Sequence, residues 1–334
     1  MINPENIYYR ISTTEVCDLS CVMCFFNGPK TKRGQRTLTV EQVRRFIEGV
    51  PKGPDLWFMG VGELLTDPNA LEHIGTASEL GHKPCILTNG QLLKEELIDA
   101  FLLRGVRLFR FSVDAIDAET FARIRIGGSF QKILDACHYL ESRKSIYHDI
   151  TIEINTIVFG DWEKTIDEYS AFWRGKADYV YFNAEIEKHI KFKKLRHPVP
   201  GRRSPCTIGL NIMPSGSYYP CCGLVNLYKI QEFSWLPHID DHSPTQAYNI
   251  FLDLYMDATG EWRDICRKCD LWTYFVCYED GSSPHLVRVD LRSPALLLAE
   301  RELAEAQMRT HMLLQSRWRK LGRALGLVKK LPFE

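Results

Sequence analysis

The sequence predicts an α/β protein: six βα units forming a parallel sheet, open or rolled into a partial barrel, followed by a small cysteine-rich domain. Three observations predict this. Short apolar runs alternate with amphipathic stretches six times within residues 1–192, the pattern of strands joined by right-handed helical crossovers. A basic stretch with Pro and Gly, KKLRHPVPGRRSPC (193–206), then breaks the periodicity. Six of the eleven cysteines fall within 206–277, where periodicity is poor, so metal rather than apolar burial is expected to hold that part together. The expected domains are 1–192, 193–290 and 291–334.

Each unit has its own signal. IYYRIS (7–12) reads as a strand ending just before the first cysteines. LTVEQVRRFIEGV (38–50) is helical, with Thr39 as N-cap and Gln42 three residues on, the pattern of a capping box. DLWFMGVGE (55–63) is a strand running into a Gly-rich turn. PNALEHIGTASELGH is a helix, KPCILTNG a strand and turn, and KEELIDAFLLRG the next helix. RLFRFSVDA (107–115) is a strand, SFQKILDACHYLESRK a helix, and ITIEINTIVF (150–159) a strongly β-branched strand. WEKTIDEYSAFWRG is helical and DYVYFNAEI (178–186) is the sixth strand. NIMPSGSYYPCCG reads as a hairpin turning at Ser215-Gly216 and carrying a cysteine at its far end. Residues 293–320 read as one long helix, with Ser293 as N-cap and Pro294 at its first position.

Composition narrows the function. Lys plus Arg and Asp plus Glu number 42 each, so no global field draws the chain to nucleic acid, and no nucleic-acid partner is expected. No run of about 18 apolar residues could span a bilayer, and MINPENIYYR contains no secretory signal, so the expected setting is cytoplasmic. In a reducing compartment clustered cysteines are metal ligands or reactive groups more often than bridges. They lie at 17, 21 and 24, then singly at 85 and 137, then at 206, 221, 222, 266, 269 and 277, which suggests two metal sites. Cys85 and Cys137 are read as core residues.

CDLSCVMC sets Cys17, Cys21 and Cys24 at i, i+4 and i+7 directly after the first strand. Three thiolates are one short of saturating a cubane, so one iron stays open to a small molecule, and an open position implies chemistry. A zinc site lacking its fourth ligand is the bland alternative. With the motifs downstream, residues 5–190 resemble the radical S-adenosylmethionine (SAM) superfamily. The resemblance implies a partial (β/α)6 barrel of the TIM type and a 4Fe–4S cluster whose open iron chelates SAM. One-electron cleavage of SAM then releases a 5′-deoxyadenosyl radical. GVGE (60–63) resembles the family's glycine–glutamate turn, which implies that Gly62 and Glu63 meet the methionine ammonium. LTNG (87–90) sits at the third-strand turn. FSVDA (111–115) and IRIGGSF (124–130) resemble the segments whose Ser112 and Arg125 contact SAM, Arg125 through its carboxylate. Asn155 matches a ribose-contacting position. The family's aromatic residue before the third cysteine is here Met23, with Phe25 as a substitute ring.

Cys206, Cys221, Cys266 and Cys269, spaced C-x14-C-x44-C-x2-C, supply four thiolates and therefore a closed site: structural zinc or a fully ligated 4Fe–4S cluster. Cys222 competes with Cys221 for the second position. This resembles the SPASM/twitch extension of radical SAM enzymes in its shorter, twitch form, which implies one auxiliary 4Fe–4S cluster. Cys277 is left over, either a buried thiol or further ligand or, as the resemblance implies, a hydrogen-atom donor.

The resemblance implies hydrogen abstraction from a carbinol carbon of a sugar or aminocyclitol. Epimerisation with Cys277 as donor is the first expectation and dehydrogenation to a ketone through the auxiliary cluster the second. A radical peptide maturase is a third reading, disfavoured because the 16 residues before Cys17 hold no leader-binding domain. A non-enzymatic metal-stabilised binding module is a fourth. The expected partners are a small-molecule or carbohydrate substrate and an electron donor such as flavodoxin or ferredoxin. SRWRKLGRALGLVKKLPF (316–333) has six basic residues and no acidic one, which fits peripheral membrane contact, a solvated helix end or an oligomer contact.

Overall fold

A computed structural model of the chain describes residues 9–24, 26, 34–159, 162–184, 209–220, 235–256 and 286–292. Met1–Leu291 form one compact unit and Arg292–Glu334 a second. In chain order the elements are β1 (Tyr9–Ile11), α1 (Val40–Glu48), β2 (Asp55–Phe58), α2 (Ala70–Glu79), β3 (Lys83–Thr88), α3 (Glu95–Leu103), β4 (Leu108–Ser112), α4 (Ala118–Ile124), α5 (Phe130–Arg143), β5 (Thr151–Val158), α6 (Trp162–Trp173) and β6 (Tyr179–Ala184). After these come β7 (Leu210–Ile212), β8 (Tyr218–Tyr219), α7 (Pro244–Met256) and β9 (Leu286–Asp290).

All six expected strands form, and β1 to β6 pair in parallel in sequence order. The sheet is larger than expected, with nine strands ordered β8-β7-β1-β2-β3-β4-β5-β6-β9. Among the described residues no ladder joins β6 to β1, so the sheet does not close. Two of the added strands, β7 and β8, are the expected hairpin, now joined to the main sheet, and β9 comes from the region whose periodicity was too poor to read. β7 runs parallel to β1 and turns back as β8, whereas β9 lies antiparallel on β6. The hairpin turns at Ser215-Gly216 as expected. Gly216 has φ 84°, and a Cβ there would stand 2.3 Å from His238 Nε2.

Side chains alternate across the sheet. Leu56, Phe58, Ile86, Phe109, Phe111, Ile152, Ile154, Val180 and Phe182 are fully buried with helix residues such as Phe46, Ile74, Phe101 and Ile133 in a single core. Each large side chain so buried contributes about 1.5–3 kcal/mol. Cys85 and Cys137 are buried, as expected, and burial pushes both thiols up. The α1 capping box is present: the Thr39 hydroxyl accepts from Gln42 N, and the Gln42 side chain accepts from Thr39 N.

The other face of the sheet carries polar and aromatic groups. The Arg110 guanidinium lies 4.3 Å from the ring centroids of both Trp57 on β2 and Tyr181 on β6. Its Nε donates to Glu153 Oε2 at 2.7 Å, and Tyr181 Oη donates to Glu153 Oε1 at 3.3 Å. Arg288 on β9 continues the stack 3.6 Å from the Tyr179 ring.

Candidate active site around the cysteine loop

β1 ends at Ile11, and the following loop carries Cys17, Cys21 and Cys24 across the C-terminal ends of the strands. This is where parallel βα folds assemble sites, because the loops leaving several strands converge there. Three neighbouring segments fix the loop. Ser12 Oγ accepts from Val61 N at 3.0 Å, and Glu63 N donates to Val16 O at 2.8 Å. Ser20 N and Val22 N donate to Ile126 O and Ile124 O, which ties the loop to the end of α4. Glu15, itself buried, pairs with Arg36 at 3.0 Å.

The glycine turn after β2 is required for a reason the sequence did not disclose. A Cβ on Gly62 would stand 2.3 Å from Thr14 O and 2.5 Å from Val16 O, so what crowds it is the cysteine loop's own backbone. Glu63 faces β3. Its Oε1 accepts from Thr88 Oγ1 at 2.7 Å and from Leu65 N at 3.2 Å, and its Oε2 accepts from Asn89 N at 2.7 Å. Burial pushes its carboxyl up to about 7 despite these bonds. Each carboxylate oxygen has two acceptor sites, so Oε2 keeps one.

Arg125 ends α4 with its side chain buried. Nη2 pairs with Asp114 Oδ2 at 2.6 Å and Nη1 lies 3.9 Å from Cys21 Sγ. Asp114 also accepts from Ile157 N at 2.8 Å. The fork that the resemblance assigns to the SAM carboxylate is thus occupied at one nitrogen by Asp114, while Nε is buried without a hydrogen-bond partner among the described residues. Ser112 ends β4 opposite Asn155 in the parallel register. Asn155 Oδ1 accepts from Asn183 Nδ2 at 2.9 Å.

The three cysteines, Gly62, Glu63, Ser112, Arg125 and Asn155 therefore gather at one end of the sheet. Sequence reasoning missed Asp114, Asn89 and Asn183 beside them, although all three are polar residues at strand ends, which is the signal that could have found them. Cys206, Cys221, Cys222, Cys266, Cys269 and Cys277, and Phe25, lie outside the described residues, as do residues 316–333.

The donor set fits an iron–sulfur cluster. Burial raises the Cys21 thiol, the Arg125 charge opposes that rise, and Cys24 and Cys17 add to it, so the three sulfurs sense one another. Arg125 and Asn89 each bring an N–H donor within 3.9 Å of a cysteine sulfur, as an anionic sulfur requires. Among the described residues no three His, Cys, Asp or Glu side chains converge tightly enough for a single metal ion. No described helix is long and apolar enough to cross a membrane.

Comparison with known proteins agrees with this geometry. Residues 11–169 match the family model described as the radical SAM superfamily. The chain is similar to an AdoMet-dependent heme synthase of Methanosarcina barkeri, 31% identical over 148 residues that cover 43% of this chain and 40% of that protein. It is also similar to a GTP 3′,8-cyclase of Chlorobaculum tepidum, 31% identical with 57% and 53% covered. The chain thus spans about half the length of the curated relatives it matches. Among solved structures, SuiB of Streptococcus suis bound to S-adenosylmethionine shares the fold, with a TM-score of 0.56, 15% identity and 80% and 71% covered. So does anSMEcpe with bound AdoMet, with a TM-score of 0.55, 17% identity and 80% and 87% covered. The cysteine loop and the turns that hold it all lie inside residues 11–169, the part of the chain that matches the radical SAM superfamily.

Proposed function

We propose that this enzyme epimerises a carbinol centre of a sugar or aminocyclitol-type substrate. Cys17, Cys21 and Cys24 would hold the SAM-binding cluster, with Gly62, Glu63, Ser112, Arg125 and Asn155 around SAM. Bound there, the cluster and SAM supply a 5′-deoxyadenosyl radical that removes hydrogen from the carbinol C–H. Cys277 then gives a hydrogen atom to the opposite face of that carbon, which inverts it and leaves a thiyl radical. One electron from a flavodoxin- or ferredoxin-type donor and one solvent proton restore the thiol. Cys206, Cys221, Cys266 and Cys269 would hold the auxiliary 4Fe–4S cluster. Support for a closed second site comes from the hairpin ends: Gly209 N donates to Pro220 O at 2.7 Å, and these residues lie three after Cys206 and one before Cys221.

The observation that carries the reading is the open three-cysteine group followed in the sequence by a second group of six cysteines, two more than a closed site needs. The test is anaerobic reconstitution with dithionite and SAM. About eight irons per chain and release of 5′-deoxyadenosine are expected, and zinc with intact SAM would end the proposal. With aminocyclitols and sugars as substrates in heavy water, one non-exchangeable deuterium at unchanged connectivity marks epimerisation, and loss of two hydrogens marks dehydrogenation. Cys277→Ala should abolish inversion and spare SAM cleavage.

A further inference from the structure

Asn89, in the turn after β3, is a hub that the catalytic reading leaves unused. It is 5% exposed, and three hydrogen bonds to two neighbours fix its side chain and backbone. Its backbone N–H donates to Glu63 Oε2 at 2.7 Å, its Oδ1 accepts from Gln91 N at 2.9 Å, and its carbonyl accepts from Gln91 Nε2 at 3.2 Å. Gln91 is anchored in turn, since its Oε1 accepts from Ser129 N at 2.7 Å and its Nε2 donates to Ser129 O at 3.1 Å. Because a backbone N–H faces Oδ1, the amide can point only one way. Its Nδ2 therefore faces Asp18 Oδ1 at 2.7 Å and Cys17 Sγ at 3.9 Å. Asp18 Oδ1 itself stands 3.9 Å from Cys17 Sγ.

We propose that Asn89 is the positioning residue that sets the reduction potential of the cluster held by Cys17, donating one amide hydrogen to Asp18 and the other to the Cys17 sulfur. The inference rests on Cys17, Cys21 and Cys24 being the cluster ligands. Adding an electron to an iron–sulfur cluster places more negative charge on its sulfurs. A hydrogen bond to a ligand sulfur thus favours the reduced state, and a nearby carboxylate disfavours it. Asn89 does both jobs: it donates to the sulfur and partly neutralises the Asp18 carboxylate beside it.

The test is an anaerobic potentiometric titration of the full, reconstituted chain, following the EPR signal that changes on adding SAM. Asn89→Leu keeps the branched outline and removes both donors. It should weaken reduction about tenfold, a shift of 59 mV to lower potential for one electron. Asn89→Asp, with two carboxylates facing each other, should go lower still. Asp18→Asn removes the negative charge and should shift the potential upward. Mere loosening of the loop would not give opposite signs, so that ordering is the signature of the proposed role. If Asn89→Leu does not hold iron, the opposed shifts of Asn89→Asp and Asp18→Asn carry the same decision. Midpoints within twofold of the parent, or Asn89 and Asp18 variants moving together, would overturn the inference while leaving the cluster assignment standing. A parent chain with no SAM-responsive signal would instead remove the cluster assignment, and this inference with it.

Discussion

Replacing Asp114 tests how the site is held together. Its carboxylate is buried, pairs with the buried Arg125 guanidinium at 2.6 Å and accepts from Ile157 N at 2.8 Å. Burial alone pushes its carboxyl up, while Arg125 and the Ile157 bond pull it back towards ionisation. Asp114→Asn keeps the shape but leaves a cation 9% exposed with no counter-charge on that side. Breaking a buried pair in this way costs about 3–5 kcal/mol. That is a hundred- to a few-thousand-fold change in the folding equilibrium, set against a total stability of about 5–15 kcal/mol. Removing both charges with Asp114→Leu and Arg125→Met leaves no unpaired cation, so the double variant should be more stable than Asp114→Asn despite carrying one more change. The assay is urea unfolding followed by circular dichroism under anaerobic conditions. A loss below about 1 kcal/mol for Asp114→Asn, or a double variant less stable than the single one, would refute the reasoning.

Three further outcomes follow from the same geometry. Glu63 has a folded-state value raised from 4.5 to about 7, so its contribution is full below pH 4.5 and is lost as pH rises to about 7. That window amounts to about 3 kcal/mol, and urea midpoints should fall across it more steeply in the parent than in Glu63→Gln. Gly62→Ala forces a Cβ against Thr14 O and Val16 O, so it should displace the cysteine loop, lower the iron bound after reconstitution and cost about 1–3 kcal/mol; unchanged iron content would contradict the packing role. Thr39→Ala should cost about 1 kcal/mol through loss of the α1 cap, read as a shift in the urea midpoint, and no shift would mean that the capping box adds nothing.

Where a residue's role depends on its immediate neighbours in the chain, the sequence was readable. The six strands, the helices between them, the Thr39–Gln42 capping box and the hairpin at Ser215-Gly216 each rest on a local pattern, and all are present. α4 escaped notice because seven residues show too little periodicity, although its Asp117 cap was in view. α7 and β9 were missed because β9, reading LVRVD, looks like solvent-facing chain until β6 supplies its partner strand. The site divides along the same line. The cysteine spacing is local and was legible, but Asp114, Asn89 and Asn183 are defined by side chains 11 to 71 positions away in sequence, as Asn89 is by Asp18. Gly62 shows the limit most clearly: the resemblance singled it out for SAM, whereas what the structure sets against it is the backbone at Thr14 and Val16.

The layer of Trp57, Arg110 and Tyr181 has a consequence for how an open sheet keeps its curvature. One guanidinium touches rings from β2 and β6, four strands apart in the sheet, and the buried Glu153 locks it there. Because no described ladder joins β6 to β1, this cation and its two rings tie the arms of an open sheet together from the inside, so the strand ends beside the cysteine loop keep their spacing without a closed ring of backbone hydrogen bonds.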